Sequence, residues 1–137
     1  MSGIAGVYNR DGSPVDIETL LAMTEVVKHR GPDGIGYWVQ GPVGLAHLQL
    51  RTTRESLREG QPLSSPDGNY TLAFDGRVDN REELVRALRA LTPVTEGCTD
   101  VQLVLHAYVG WGPNCVRRMV GDFAFALWDG VRGQLFC

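Results

Sequence analysis

The sequence lacks the features that mark membrane-spanning, secreted and nucleic-acid-binding proteins. No apolar run in its 137 residues approaches the roughly 20 residues that a membrane-spanning helix requires, and no signal peptide is recognisable. Lysine and arginine are not clustered, and the formal net charge is -3, which argues against binding to nucleic acid. We therefore expect a cytoplasmic protein that has neither a membrane nor a nucleic acid as its partner.

Patterns for metal binding and for disulfides are also missing. The three cysteines are odd in number and have no CxxC spacing, so we interpret them as reduced thiols. The three histidines show no ligand spacing, and no metal site is predicted. A hydrophobic fraction of 43% and a charged fraction of 21% are typical of a soluble globular protein. Residues 1–137 are long enough for one domain with a real core.

The first six residues, Met1-Ser2-Gly3-Ile4-Ala5-Gly6, form an apolar and glycine-rich segment, and residues 3–8 predict a buried strand. If Met1 is removed, Ser2 carries a hydroxyl nucleophile together with a free α-amine, whose ordinary pKa is about 7.7–8.0. One residue then supplies both the nucleophile and the base. An ordinary initiator methionine followed by a small residue is the simpler interpretation of this segment alone.

Turn residues divide the rest of the chain into strands and helices. Further strands are predicted over residues 35–40, 43–50, 70–74, 123–128 and 134–137. Helices are predicted over residues 16–28, from a cap at Asn80 to a stop at Pro93, and from Thr99 or Asp100 through Tyr108. In the second helix, Glu83 occupies a capping-box position, and the expected inward face consists of Leu84, Ala87, Leu88 and Leu91. Strands at both ends with helices grouped between them predict an α+β fold whose sheets are mainly antiparallel.

Seven motifs in this order resemble the N-terminal glutaminase domain of asparagine synthetases, the class II glutamine amidotransferases. They are Ser-Gly-Ile-Ala-Gly at residues 2–6, His-Arg-Gly-Pro-Asp-Gly at 29–34, Gly-Leu-Ala-His at 44–47, Gln61-Pro62, Asp75-Gly76-Arg77 with Asn80, Thr99-Asp100, and Gly-Asp-Phe-Ala-Phe-Ala-Leu-Trp-Asp at 121–129. The resemblance implies the four-layer αββα sandwich of N-terminal-nucleophile hydrolases. It also implies a C-terminal ATP-dependent synthetase domain that this chain does not contain. ATP and Mg are expected only in that domain, and no cofactor is expected in this one.

The resemblance also assigns roles, and three positions depart from the family pattern. Ser2 stands where the family has the cysteine nucleophile, and a hydroxyl is a far weaker acid than a thiol. Gln49 stands where an arginine usually pairs with the α-carboxylate of glutamine, and a neutral amide cannot replace that bidentate ion pair. Arg51 shares the predicted strand face of Gln49 and is a substitute cation or, in the interpretation we favour, a solvated surface charge.

The third departure lies at the oxyanion position, Asp75 and Gly76, where the family has an Asn-Gly pair. A carboxylate opposes a developing negative charge, and losing one oxyanion donor typically costs about 3–4 kcal/mol of transition-state stabilisation. Asp100 matches the residue that binds the α-ammonium of glutamine, although a helix cap explains it equally well.

Three departures in three roles indicate a decayed glutamine site. The hypothesis is a structural domain of an ATP-dependent amide-forming ligase, similar to lasso-peptide macrocyclases or β-lactam synthetases. The stretches Arg51-Thr52-Thr53 and 75–81 favour that branch, and its substrate would be a peptide or a small carboxylate. The alternative is an active glutamine-hydrolysing asparagine synthetase domain, which supplies ammonia with an N-terminal nucleophile at position 2.

Overall fold

A computed structural model describes residues 2–52, 57 and 60–137. The chain forms two compact units. The first unit contains the described residues up to Asp75 together with Ala124–Cys137, and the second unit is Gly76–Phe123. Among the described residues, no helix combines the length and the apolar character that crossing a membrane would need.

The first unit contains a three-stranded antiparallel sheet of β1 (Gly3–Tyr8), β2 (Gly34–Gln40) and β3 (Val43–Gln49). The strand order is β1-β3-β2, so β3 is central. β2 and β3 form a hairpin across Gly41-Pro42, and all three strands lie within one residue of their predicted bounds. β1 pairs with β3 so that Ile4 lies opposite His47, which brings the start of the chain to the end of β3.

A second, four-stranded sheet has the order β4-β5-β6-β7. Its strands are β4 (Leu63–Ser64), β5 (Tyr70–Gly76), β6 (Phe123–Asp129) and β7 (Gln134–Phe136). Three of them were predicted, whereas β4 was not, because two residues beside a proline show no alternation of polar and apolar side chains. Both pairings described within this sheet, β4 with β5 and β6 with β7, are antiparallel.

The two faces of β3 are buried by different partners, as the period of two along a strand requires. Ala46 packs with Ala5 and with Leu20 of α1 (Ile17–Val26), a helix whose cap is the predicted Asp16. Leu45 lies on the opposite face, in a cluster with Val43 and with Ala126 of the second sheet. The first unit therefore has a helix on one face of the first sheet and the second sheet on the other. This arrangement confirms the α+β prediction.

The second unit is built on two helices, α2 (Arg81–Leu88) and α3 (Asp100–Trp111), followed by a short 3₁₀ segment, Gly112–Arg117. α3 begins as predicted: Thr99 is its cap and forms a capping box with Gln102. The predicted capping role of Asn80 at the beginning of α2 is wrong. Asn80 occupies the cap position without a capping hydrogen bond, because its amide oxygen accepts from the N–H of Val120 at 2.9 Å and its amide nitrogen donates to the carbonyl of Arg118 at 2.8 Å.

The buried face of α2 also differs from the prediction. Leu84 and Leu88 are buried as expected, whereas Ala87 and Leu91 are exposed and Val85 is buried instead. The helix ends at Leu88, well before Pro93, so the apolar period cannot continue to position 91.

Candidate active site

Ser2 is held through all three of its polar groups. Its amide donates to Asp75 Oδ1 at 3.0 Å, its carbonyl accepts from Arg30 Nε at 3.1 Å, and its hydroxyl oxygen accepts from the amide of Leu50 at 3.1 Å. A serine nucleophile needs a base that accepts its proton. Among the described residues, the hydrogen-bond partner of the Ser2 hydroxyl is a donor, so this contact holds the side chain in place without activating it.

Asp75 follows Phe74 in β5 and places its carboxylate on the main-chain nitrogen of Ser2. A carboxylate can only accept hydrogen bonds, whereas the side-chain amide of asparagine both accepts and donates. Met1 lies outside the described residues, and if it were removed, the negative charge of Asp75 would act on a free α-amine of Ser2. It would stabilise a protonated α-amine at this distance, and a protonated amine cannot accept the proton of the hydroxyl.

His47 is buried on the strand face of β3 that carries Leu45 and is only 3% exposed. Its Nε2 atom has no hydrogen-bond partner among the described residues. Burial lowers the pKa of His47, and the nearby Asp75 charge and a hydrogen bond to the backbone of Phe74 oppose that shift only in part. The imidazole is therefore neutral at pH 7. The sequence analysis included His47 in the predicted strand 43–50 and in the motif at 44–47, but it assigned this residue no role beside Asp75.

A pH dependence of stability follows from the lowered pKa of His47. In the unfolded chain a histidine takes up its proton as the pH falls through about 6.5, whereas folded His47, whose pKa is lowered, takes up its proton only at a lower pH. Below about pH 6.5 the unfolded state binds more protons, so the free energy of unfolding should fall, by at most about 1.4 kcal/mol per pH unit for one full proton. His47→Phe should make the loss between pH 6.5 and pH 5 shallower. Denaturant titrations at each pH measure the free energy of unfolding of both proteins.

The matched control for this prediction is His29→Gln, which removes an exposed imidazole from the 3₁₀ segment Lys28–Arg30. The control should keep the slope of the native protein. A His47→Phe variant with the native slope would contradict the prediction.

Gln49 and Arg51 lie side by side at the end of β3. Arg51 Nη2 donates to Gln49 Oε1 at 3.4 Å, and the amide of Arg51 donates to Asp33 Oδ2 at 2.7 Å. The amide of Asp33 in turn donates to the carbonyl of Gln49 at 3.1 Å, which connects the motif at 29–34 to this end of β3. Arg51 is exposed and its guanidinium reaches the side chain of Gln49, so both the surface-charge and the substitute-cation interpretations of Arg51 stay open.

Gly76 and Asp100 belong to the second unit. Gly76 has φ of +141°, and a Cβ added there would lie 2.2 Å from the carbonyl oxygen of Asp122. Asp100 is the first residue of α3 and not its cap, which is Thr99. Its Oδ2 accepts from the amide of Val78 at 3.0 Å, and its Oδ1 pairs with Arg81 Nη1.

Arg81 is the charged residue whose role the sequence analysis missed. It already supplies Asp100 with a cation inside the second unit. A signal was present, because a positive side chain at the first position of a helix opposes the helix dipole and suggests a partner elsewhere. Among the described residues, no group of three or more histidine, cysteine, aspartate or glutamate side chains is arranged to hold a metal ion.

Comparisons with known proteins identify the family. The chain is 33% identical over 120 residues to asparagine synthetase [glutamine-hydrolyzing] 3 of Bacillus subtilis, covering 87% of this chain and 20% of that protein. It is 31% identical over 132 residues to asparagine synthetase [glutamine-hydrolyzing] 1 of the same organism, covering 94% of this chain and 21% of that protein. The chain thus spans about a fifth of the length of these relatives.

Among solved structures, glutamine phosphoribosylpyrophosphate amidotransferase from B. subtilis superposes with a TM-score of 0.71 at 17% identity, covering 95% of this chain and 35% of that chain. At this identity the likeness concerns the fold alone. It confirms the predicted fold class, that of the N-terminal-nucleophile hydrolases. The family model described as the glutamine amidotransferase domain matches residues 1–137. The chain therefore belongs to the glutamine amidotransferase domain family and has asparagine synthetases among its homologues.

Proposed function

We propose that this chain is the glutaminase-like domain of an ATP-dependent amide-forming ligase and that its glutamine site has decayed. The contact that carries the proposal is the 3.0 Å hydrogen bond from the Ser2 amide to Asp75 Oδ1. It places a negative charge beside the residue that would have to attack the substrate. In this proposal the domain has a structural role in the ligase and does not hydrolyse glutamine.

Two effects of Asp75 support the loss of activity. An attack on an amide carbonyl builds negative charge on the carbonyl oxygen, which donors stabilise and a carboxylate opposes. The same carboxylate favours the protonated form of a free Ser2 amine, and a protonated amine cannot serve as the base. The Ser2 hydroxyl, which is less acidic than a thiol, therefore lacks both an activating base and a favourable oxyanion site.

The groups expected to bind the two ends of glutamine support the same conclusion. The amide of Gln49 carries no positive charge to pair with the substrate α-carboxylate. Arg51 contacts Gln49 but is exposed, so its charge is screened by water. At the other end, Asp100 is already paired with Arg81.

The partner in this proposal is a C-terminal synthetase domain. The relatives named asparagine synthetase are about five times as long as the matched region. ATP and Mg would bind in that domain, with no cofactor in this one, in a cytoplasmic enzyme. The narrower hypothesis, a lasso-peptide macrocyclase or a β-lactam-synthetase-like enzyme acting on a peptide or small carboxylate, rests on the sequence alone. Part of its support, Thr53, lies outside the described residues.

The test is glutamate release from glutamine by the full-length protein, with and without ATP. We expect no release by the native protein and a gain of release in the triple variant Ser2→Cys, Gln49→Arg, Asp75→Asn. The matched control is the triple variant Ser2→Ala, Gln49→Arg, Asp75→Asn, which should release no glutamate. Release by the native protein that Ser2→Ala abolishes would overturn the proposal and establish the alternative, an active domain that supplies ammonia.

A further inference from the structure

The position of Arg81 is not explained by its own helix. Arg81 is the first residue of α2, where the positive end of the helix dipole disfavours a cation. Asp100 is the first residue of α3, where the same dipole favours an anion. The ion pair between them joins the beginnings of the two helices across 19 residues of sequence. A residue that breaks a local preference is expected to serve a tertiary role, and the ion pair is the role visible here.

The guanidinium of Arg81 has two oxygen acceptors in the second unit. Its Nη1 donates to Asp100 Oδ1 and its Nη2 donates to the carbonyl of Cys98. The other oxygen of Asp100 accepts from the amide of Val78 at 3.0 Å, which fixes the carboxylate independently of Arg81. A carboxylate and a carbonyl that converge on one cation form a site that recognises any group with two N–H donors and a positive charge.

Arg81 borders a surface cleft that Asp100 does not line. A surface cleft of about 910 Å³ runs along α2, and its described lining includes Arg81 and Arg86 but not Asp100. The side chain of Asp100 is 23% exposed and that of Arg81 is 34% exposed. Truncating Arg81 therefore opens a path from the cleft to both acceptors.

We propose that Asp100 and the carbonyl of Cys98 form a cation site that the chain fills with its own Arg81, and that Arg81 thereby excludes small primary ammonium ligands. The α-ammonium of an amino acid belongs to this ligand class, and its choice as the excluded ligand rests on the proposed function. Arg81 is then a specificity-determining residue. Its ion pair with Asp100 explains how the chain loses binding of an α-ammonium group although the carboxylate of Asp100 is present.

The test measures binding of ethylguanidinium and of ethylammonium to the full chain carrying Arg81→Ala. Ethylguanidinium is the part of the side chain that this substitution removes. The reporter is the backbone amide of Val78, followed by ¹⁵N NMR at constant ionic strength. We expect a saturable shift with both cations, at least tenfold tighter than in the native chain. Tetramethylammonium, which has the charge but no N–H donor, should give no saturable shift, and neither should the double variant Arg81→Ala, Asp100→Asn.

Equal binding of ethylammonium by the native chain and by Arg81→Ala would overturn the inference, as would a folded Arg81→Ala chain with no saturable shift. If Arg81→Ala does not fold, Arg81→Met is titrated with the same probes. An independent measurement uses Asp100→Asn alone, in which the Nη1 protons of Arg81, which donate to Asp100, should exchange with solvent at least tenfold faster than in the native chain. Unchanged exchange would also overturn the inference.

L-glutamine separates this inference from the proposed function. If L-glutamine shifts the Val78 amide signal of Arg81→Ala and no glutamate is released, the inference is supported. The proposed loss of glutamine hydrolysis then also stands. Binding of the simple cations without any shift from L-glutamine would keep the cation site but overturn the assignment of an amino acid as the excluded ligand. Glutamate release by the native chain would contradict the proposed function alone.

Discussion

Glutamine hydrolysis by a chain carrying Ser2→Cys and Gln49→Arg should rise about 10²–10³-fold when Asp75→Asn is added. Asparagine keeps an oxygen that can accept from the amide of Ser2, so the 3.0 Å contact is retained. It also adds an N–H donor where a carboxylate had opposed negative charge on the substrate oxygen. The gain should appear in kcat/KM, measured as glutamate formed per unit time.

Asp122→Asn in the same background is the matched control, because it removes one negative charge from a side chain that is 91% exposed. It should change the rate little, since an exposed charge is screened by water and salt. An equal gain from Asp122→Asn would show that net charge, and not the position of Asp75, limits the reaction. No gain from Asp75→Asn would remove Asp75 as a cause of the lost activity.

Gly76→Ala should lower the free energy of unfolding by about 4 kcal/mol. The φ of +141° is a conformation that side chains with a Cβ rarely adopt. A Cβ would in addition lie 2.2 Å from the carbonyl oxygen of Asp122 and 2.5 Å from Cα of Phe123. Both neighbours are backbone atoms, so they cannot turn away as a flexible side chain can. Chemical denaturation followed by circular dichroism measures the loss.

Gly34→Ala separates the two causes of this loss. Gly34 has a similar φ of +144°, and a Cβ there would meet nothing within 4 Å. It should therefore show only the conformational cost, about 1–3 kcal/mol. Equal losses at Gly34 and Gly76 would contradict the expected clash with the backbone of Asp122. A small loss at Gly76 would remove the structural reason for glycine at this position.

Much of the fold could be predicted because local sequence patterns determine many of its strands and helices. A few neighbouring residues encode the strand Gly3–Tyr8, the turn at Gly41-Pro42 and the beginning of α3 at Thr99. The prediction for Asn80 went wrong for the opposite reason. Its side chain bonds to Arg118 and Val120, about 40 residues away, and these contacts displaced the local capping pattern.

The candidate site was predictable only in part, for a related reason. The motifs single out Ser2, Asp75 and Asp100, but residue type does not say which atoms meet. The contact of Ser2 with Asp75 spans 73 residues, and the ion pair of Arg81 with Asp100 depends on how α2 and α3 pack. The buried Nε2 atom of His47, which has no hydrogen-bond partner within residues 2–52, 57 and 60–137, likewise results from packing between sheets and leaves no pattern in the sequence.

The three hydrogen bonds of Ser2 also set an order of events during folding. They connect it to Arg30, Leu50 and Asp75, over 28, 48 and 73 residues. Contacts over such separations form late, because each requires a long loop to close. During synthesis Ser2 therefore cannot hold all three bonds until β5, which carries Asp75, has been made. Ser2 is thus held on three sides only once the first unit has folded, and it keeps more conformational freedom at every earlier stage.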